Sequence, residues 1–187
     1  MENGRARIID LPDKQCVIKQ VRTYMWDNSI DFDGMAYDVF VSCECMNEIV
    51  VLNRLRQCNV PHIVPVYSIS VGDNDHMVSI IMRKLKPITL PLPSLERTVK
   101  YTRELFEAMY GMHVAGVVHQ DLKMDNLMYD PESDELRLID FGLSMLDPPN
   151  GRSTYTDVYT MRHRAPELLL NKKPFDTEKA EVWAAGV

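Results

Sequence analysis

The 187-residue chain carries 27 Asp and Glu against 21 Lys and Arg, a formal net charge of -6, and 45% of its residues are apolar. That length suits one sizeable core or two small lobes, and the acidic balance argues against a general nucleic-acid binder, which would show a basic surface. No stretch approaches the roughly 18 apolar residues that span a bilayer, and Met1 to Asp10 is charged and lacks a signal-peptide apolar region, so the expectation is an intracellular, soluble protein with no membrane and no nucleic acid among its partners.

In chain order, Arg5 to Asp10 and Gln15 to Val21 read as two strands joined at Leu11-Pro12-Asp13-Lys14. Taken alone, Lys19 in the second strand reads as a solvated strand-end lysine. Residues 23–42 hold Asp27, Asp31, Asp33 and Asp38 among scattered aromatics with no clean period, the pattern of a loop. Cys45 to Gln57 has helical spacing, with Glu48, Leu52 and Leu55 on one face and Pro61 enforcing a stop. Val64 to Ser70 and Met77 to Met82 form a second hairpin, turning at Gly72-Asp73-Asn74-Asp75.

Pro87, Pro91 and Pro93 precede Ser94, a good N-cap for a long helix. That helix carries two apolar stripes, Leu95, Val99, Phe106 and Met109 on one and Tyr101, Leu105, Ala108 and Met112 on the other, which predicts burial on both, with Gly116 as terminator. The four cysteines, Cys16, Cys43, Cys45 and Cys58, lack zinc-site spacing and read as unpaired or structural thiols, and the twelve methionines as core filler.

The chain is organised around Val118 to Gly142. Strand-like segments Asn126 to Tyr129 and Leu136 to Ile139 flank Asp130-Pro131-Glu132-Ser133-Asp134, and a hairpin there brings Asp121, Lys123 and Asn126 close to Asp140. Hard oxygen donors beside one ammonium suit a phosphoryl group with magnesium.

His119-Gln120-Asp121-Leu122-Lys123 with Asn126 resembles the catalytic loop of eukaryotic-type protein kinases, Asp140-Phe141-Gly142 their DFG motif, and Ala165-Pro166-Glu167 their APE motif. Each triplet is weak alone; their order and spacing are specific. The resemblance implies an α+β, two-lobed protein-kinase-like fold, incomplete at both ends, with a small β-rich lobe and one helix over 1–84 and a mainly helical, partial large lobe over 85–187. It implies ATP and Mg2+ as cofactors, bound between the lobes, and a protein Ser or Thr as acceptor. Asp121 and Lys123 are then catalytic: Asp121 orients the attacking hydroxyl and Lys123 neutralises charge on the transferred group. Asn126 and Asp140 are the metal ligands. Lys19, in Cys16-Val17-Ile18-Lys19, resembles the nucleotide lysine paired with Glu48, and Arg83, Leu85 and Met128 join the ATP-binding set, with Met82 behind it. His119 is expected to pack on Phe141, and Thr160 to sit near Asp121, as in serine/threonine kinases. Residues 23–42 resemble an insertion, with a regulator's docking segment as the minority reading.

Four features depart from the family pattern. Only Gly4 lies where a three-glycine phosphate loop belongs; Gln120 replaces an arginine, so the charge-assisted pair with a phosphorylated activation segment is lost; Glu181 stands for an aspartate; and the chain ends early in the helix that begins near Val182. A shortened, divergent member fits, of the sort found in large DNA viruses and as gene fragments. The leading expectation is a serine/threonine protein kinase. The alternatives are a pseudokinase or truncated binding module acting through a protein partner, and a small-molecule kinase, against which the Ala165-Pro166-Glu167 segment speaks.

Overall fold

The structure, a computed structural model, describes residues 7–11, 14–22, 46–71, 77–154 and 158–187. Gly4, the 23–42 insertion, Cys43, Cys45, the Gly72 to Asp75 turn, Tyr155 and Thr156 lie outside the described residues. The chain divides into two compact units, Met1–Ile49 with Val64–Lys84, and Val50–Ile63 with Leu85–Val187.

The first unit is a four-stranded antiparallel sheet in the order β1-β2-β4-β3, built from β1 (Arg7–Leu11), β2 (Cys16–Arg22), β3 (Val66–Val71) and β4 (Met77–Arg83). In β4 the alternate residues Val78, Ile80 and Met82 are buried, the period-two pattern of a strand with one face on a core. Lys19 lies opposite Ile8 on one side and Ile80 on the other. Because β2 is an inner strand, its backbone is held by ladders on both edges. Helix α1 (46–57) starts in this unit, and its residues from Val50 onward group with the second.

In the second unit Val51, Leu52 and Leu55 of α1 are buried, spaced as one helical face. The Val60 amide bonds back to Leu55, and the chain turns at Asn59 and His62, both with positive φ. Helix α2 (Leu95–Val114) starts where Ser94 Oγ accepts the Arg97 amide at 3.2 Å, the capping its sequence predicts. It ends at Ala115, followed by Gly116 at φ +74, where a Cβ would meet Asp147 Oδ1 at 2.1 Å. Gly111, inside α2, permits another close approach, since a Cβ there would meet Val60 Cγ1 at 2.8 Å.

The burial of α2 differs from the expectation that both stripes are covered. Tyr101, Leu105, Ala108, Met109 and Met112 are buried. Leu95, Val99 and Phe106 are 78%, 60% and 47% exposed. A helix of 3.6 residues per turn presents one face to a neighbour, and here that face packs on β6 (Val117–Val118) and β8 (Glu135–Leu138).

The hairpin of β7 (Leu127–Asp130) and β8 continues through β5 (Lys86–Pro87) as a three-stranded sheet, and β6 pairs with β9 (Met145–Leu146). After β9 come β10 (Arg152–Ser153), the short helix α3 (Pro166–Leu169), β11 (Phe175–Asp176) paired with β10, and α4 (Thr177–Ala185). Asp176 caps α4 by accepting the Lys179 amide at 3.0 Å. Pro166 opens α3 at a position where a helix needs no amide donor.

Polar side chains of α2 clamp this hairpin. Glu104 accepts the Leu136 amide at 2.8 Å, and Tyr101 donates to Asp134 Oδ1 at 2.8 Å. Arg97 and Lys100 also bond to Asp134. Burial, helped by the Asp134 bond, pushes the Tyr101 phenol up to about 12. Burial works to raise the Asp134 carboxyl, but its bonds from Arg97, Tyr101 and Lys100 outweigh that and lower it. Asp134→Ala removes the carboxylate that takes Arg97, Tyr101 and one of the Lys100 bonds, while the Lys100 bond to the Asp134 carbonyl remains. The expected loss is about 1 kcal/mol, at the low end for a charged bond because the Asp134 side chain is 40% exposed. A thermal melt should shift down by about 2–4 °C. Since the folded Asp134 value lies below 3.8, this contribution is present above that pH and fades as pH falls through the folded value.

Candidate active site

In the first unit, Lys19 Nζ donates to Glu48 Oε1 at 2.8 Å, with the side chains 13% and 5% exposed. An ammonium and a carboxylate taken this far out of water need each other, and removing either strands the other. Arg83 ends β4, and its amide donates to the Pro65 carbonyl at 2.9 Å. Leu85, in the second unit, is buried, and Met128 sits in β7 opposite Pro87 and Arg137.

In the second unit the loop from His119 to Asn126 is held from beneath by Glu181 of α4. The Glu181 carboxylate is fully buried. Its Oε1 accepts the amides of His119 at 2.5 Å and Gln120 at 3.1 Å, and its Oε2 meets His113 Nε2 at 2.5 Å. The extra methylene of Glu relative to Asp is thus accommodated, and the carboxylate still reaches the loop. Burial alone would lower the His113 pKa; the Glu181 bond, with the charges of Glu181, Glu178 and Asp176, outweighs it and raises the value above 6.5. His113 carried no signal in the sequence, since its partner lies 68 residues away.

Both ring nitrogens of His119 are engaged. Nε2 faces the Ile139 carbonyl at 3.0 Å and Nδ1 accepts the Asp121 amide at 3.2 Å, which selects the neutral tautomer with its proton on Nε2. The ring packs on Phe141 with centroids 4.9 Å apart at 55°. His119 therefore orients the loop and has no lone pair left for proton transfer. Gln120 is buried, with its amide 4.0 Å from Met145 Sδ, so its side chain is spent on a thioether.

The Asp121 carboxylate is the meeting point of the site. Oδ2 accepts from Lys123 Nζ at 2.6 Å and Asn126 Nδ2 at 3.3 Å; Oδ1 accepts from the Thr160 hydroxyl at 2.9 Å and its amide at 3.1 Å. Lys123 also reaches the Thr160 hydroxyl at 3.3 Å. Gln120, beside Asp121 in the chain, Tyr159, beside Thr160, and Asp140 all hold positive φ without being glycine. The Tyr159 amide bonds to the Gln120 carbonyl at 2.9 Å. Such backbone costs about 1–3 kcal/mol per residue and clusters where geometry serves chemistry.

Asn126 Nδ2 also donates to the Asp121 carbonyl at 2.9 Å, and the Ile139 amide donates to the Asn126 carbonyl at 3.1 Å. The hairpin thereby brings Asn126 next to the residue preceding Asp140. The Asn126 amide nitrogen is turned to Asp121, and Asp140 is exposed. An amide oxygen and a carboxylate are hard donors of the kind magnesium takes. Among the described residues, no group of three or more His, Cys, Asp or Glu is arranged for a metal, and Cys16 and Cys58 are free thiols. No helix of the described residues is long and apolar enough to cross a membrane.

Comparison with known proteins places the chain in a family. The family model "Protein kinase domain" matches residues 13–187. The chain is 31% identical over 146 residues to "Probable serine/threonine-protein kinase fnkB" of Dictyostelium discoideum, covering 73% of this chain and 26% of that protein. It is 30% identical over 133 residues to casein kinase II subunit alpha' of Saccharomyces cerevisiae, covering 67% and 38%. To the CTD kinase subunit alpha of Schizosaccharomyces pombe it is 27% identical over 150 residues, covering 75% and 24%. The match thus spans well under half the length of these relatives. With a family match over nearly its whole length, the chain belongs to the protein kinase domain family.

Proposed function

We propose that this chain is an ATP- and Mg2+-dependent serine/threonine protein kinase domain. The observation that carries the reading is the Asp121 carboxylate, buried yet bonded to a lysine, an amide and a threonine hydroxyl. In this reading an acceptor hydroxyl takes the position of a donor to Asp121. Its oxygen forms a bond to the γ-phosphorus of ATP, the γ-phosphorus to bridging-oxygen bond breaks, ADP leaves, and the hydroxyl proton passes to Asp121. Lys123 offsets negative charge on the transferred group. Asn126 and Asp140 would hold Mg2+, which supplies charge neutralisation at the phosphates when bound. Lys19, oriented by Glu48, is the nucleotide lysine; Arg83 and Leu85 supply backbone contacts and Met128 apolar surface to the adenine.

The test is transfer from γ-labelled ATP with Mg2+ to a generic protein acceptor and, separately, to a small alcohol, with Asp140→Asn alongside. Label on protein Ser or Thr, lost in the variant, is the expected result. Label on the small alcohol alone would move the assignment to a small-molecule kinase. A folded chain that neither binds ATP nor transfers phosphate would sink the enzyme reading in favour of a binding module acting through a protein partner.

A further inference from the structure

The chain is acidic overall, yet the segment that follows the Asp121 contact reverses sign. From Val158 to Phe175 there are four Lys and Arg, namely Arg162, Arg164, Lys172 and Lys173, against the single acid Glu167, a local formal charge of +3 in a chain of -6. The segment is tied to the reaction centre at its start, where the amide and hydroxyl of Thr160 bond to Asp121 Oδ1. Short backbone bonds then carry it onward in a compact path. His163 bonds back to Thr160 and Arg164 to Met161; Leu169 bonds to Ala165, Leu170 to Pro166 and Lys172 to Glu167.

The bases on this path differ in how they are used. Arg164 is half-buried, and its Nε donates to the Tyr159 carbonyl at 2.9 Å, which makes it part of the frame. Arg162, one turn from Thr160, is exposed, as are Lys172 and Lys173, and none of these three side chains bonds to another described residue. An exposed guanidinium two residues past the threonine that bonds to Asp121 is a natural partner for a carboxylate or phosphate. An extended peptide advances about 3.3 Å per residue, so neighbours of the acceptor fall within reach of a side chain as long as arginine.

We infer that Arg162, two residues past the threonine bonded to Asp121, selects acceptor sites whose Ser or Thr is flanked by an anionic side chain. The inference rests on the kinase reading and names the substrate class of that same site. The shared chemistry is an anionic flank, supplied either by Asp and Glu or by a residue phosphorylated beforehand.

The experiment compares fluorescent Ser peptides flanked by Asp and Glu, phosphoserine, Ala, or Lys and Arg. Binding to the whole chain is read by polarisation without nucleotide, and transfer is read separately. Acidic or phosphorylated peptides should bind about fivefold tighter than the Ala peptide at low salt, as expected for one well-formed exposed charge pair. The advantage should shrink as salt is added, and the order of the two anionic peptides names the source of the charge. Arg162→Glu should bring the anionic-to-neutral ratio to one or below, and an unchanged circular dichroism melt marks the variant as folded. An Ala peptide bound as tightly as the acidic ones overturns the inference whatever transfer shows, and so does an oligonucleotide bound as tightly, which would mark a general polyanion surface. Acidic preference in binding without any transfer keeps the surface and sinks the kinase reading instead.

Discussion

Asp121→Asn should lower kcat for phosphotransfer by roughly 10²–10⁴-fold, the range for removing a positioned proton acceptor. The amide has nearly the same shape, so Oδ1 can still accept from Thr160. Its nitrogen, however, replaces the oxygen that now takes Lys123 Nζ at 2.6 Å and Asn126 Nδ2 at 3.3 Å, and placing donor against donor breaks that side of the cluster. Because none of these groups is assigned to the nucleotide's adenine, KM for ATP should change far less than kcat. Steady-state kinetics with ATP varied at saturating acceptor separates the two. A variant within threefold of the parent kcat would remove Asp121 from its assigned role, and a large rise in KM alone would make it a binding group.

Glu181→Ala should cost about 3–5 kcal/mol of stability, the range for breaking a buried charged pair, and lower the melting temperature by on the order of 10 °C. Three donors lose one acceptor at once: the amides of His119 and Gln120 and the ring of His113. Those amides begin the loop that carries Asp121, so, on the proposed function, activity measured well below the melt should fall as well. Glu181→Asp keeps the charge but shortens the reach by one methylene, and should lie between the two.

The same cluster gives a pH signature. The folded His113 value is raised above 6.5, so its contribution is fully present below pH 6.5 and is lost as pH rises through the folded value. The stability difference between the parent and Glu181→Gln should therefore be larger at pH 6 than at pH 9. A difference that is flat across this range would show that the imidazolium contributes nothing to holding α4 against the loop.

Much of the site is readable without coordinates. Ser94 as a cap, the period of α1, the hairpin around Asp130 to Asp134, and the order of His119, Asp121, Asn126 and Asp140 all follow from residues close along the chain. Backbone geometry repeats every two or 3.6 residues, so local patterns carry local structure. The recognition of the family rests on the same short-range information.

Other features could not be read that way, because they depend on groups distant in sequence meeting in space. Both apolar stripes of α2 look alike as patterns, and packing against β6 and β8 buries one of them and leaves Leu95, Val99 and Phe106 outside. His113 meets Glu181 across 68 residues, and Asp134 gathers Arg97, Lys100 and Tyr101 from 33 to 37 residues away. The positive φ of Gln120, Asp140 and Tyr159 has no glycine to announce it; surrounding bonds impose it. Motif order along the chain is thus enough to propose the reacting groups, whereas which carboxylate holds the loop, and that Arg164 joins the frame while Arg162 stays exposed, is settled by long-range hydrogen bonds and burial that no local period encodes.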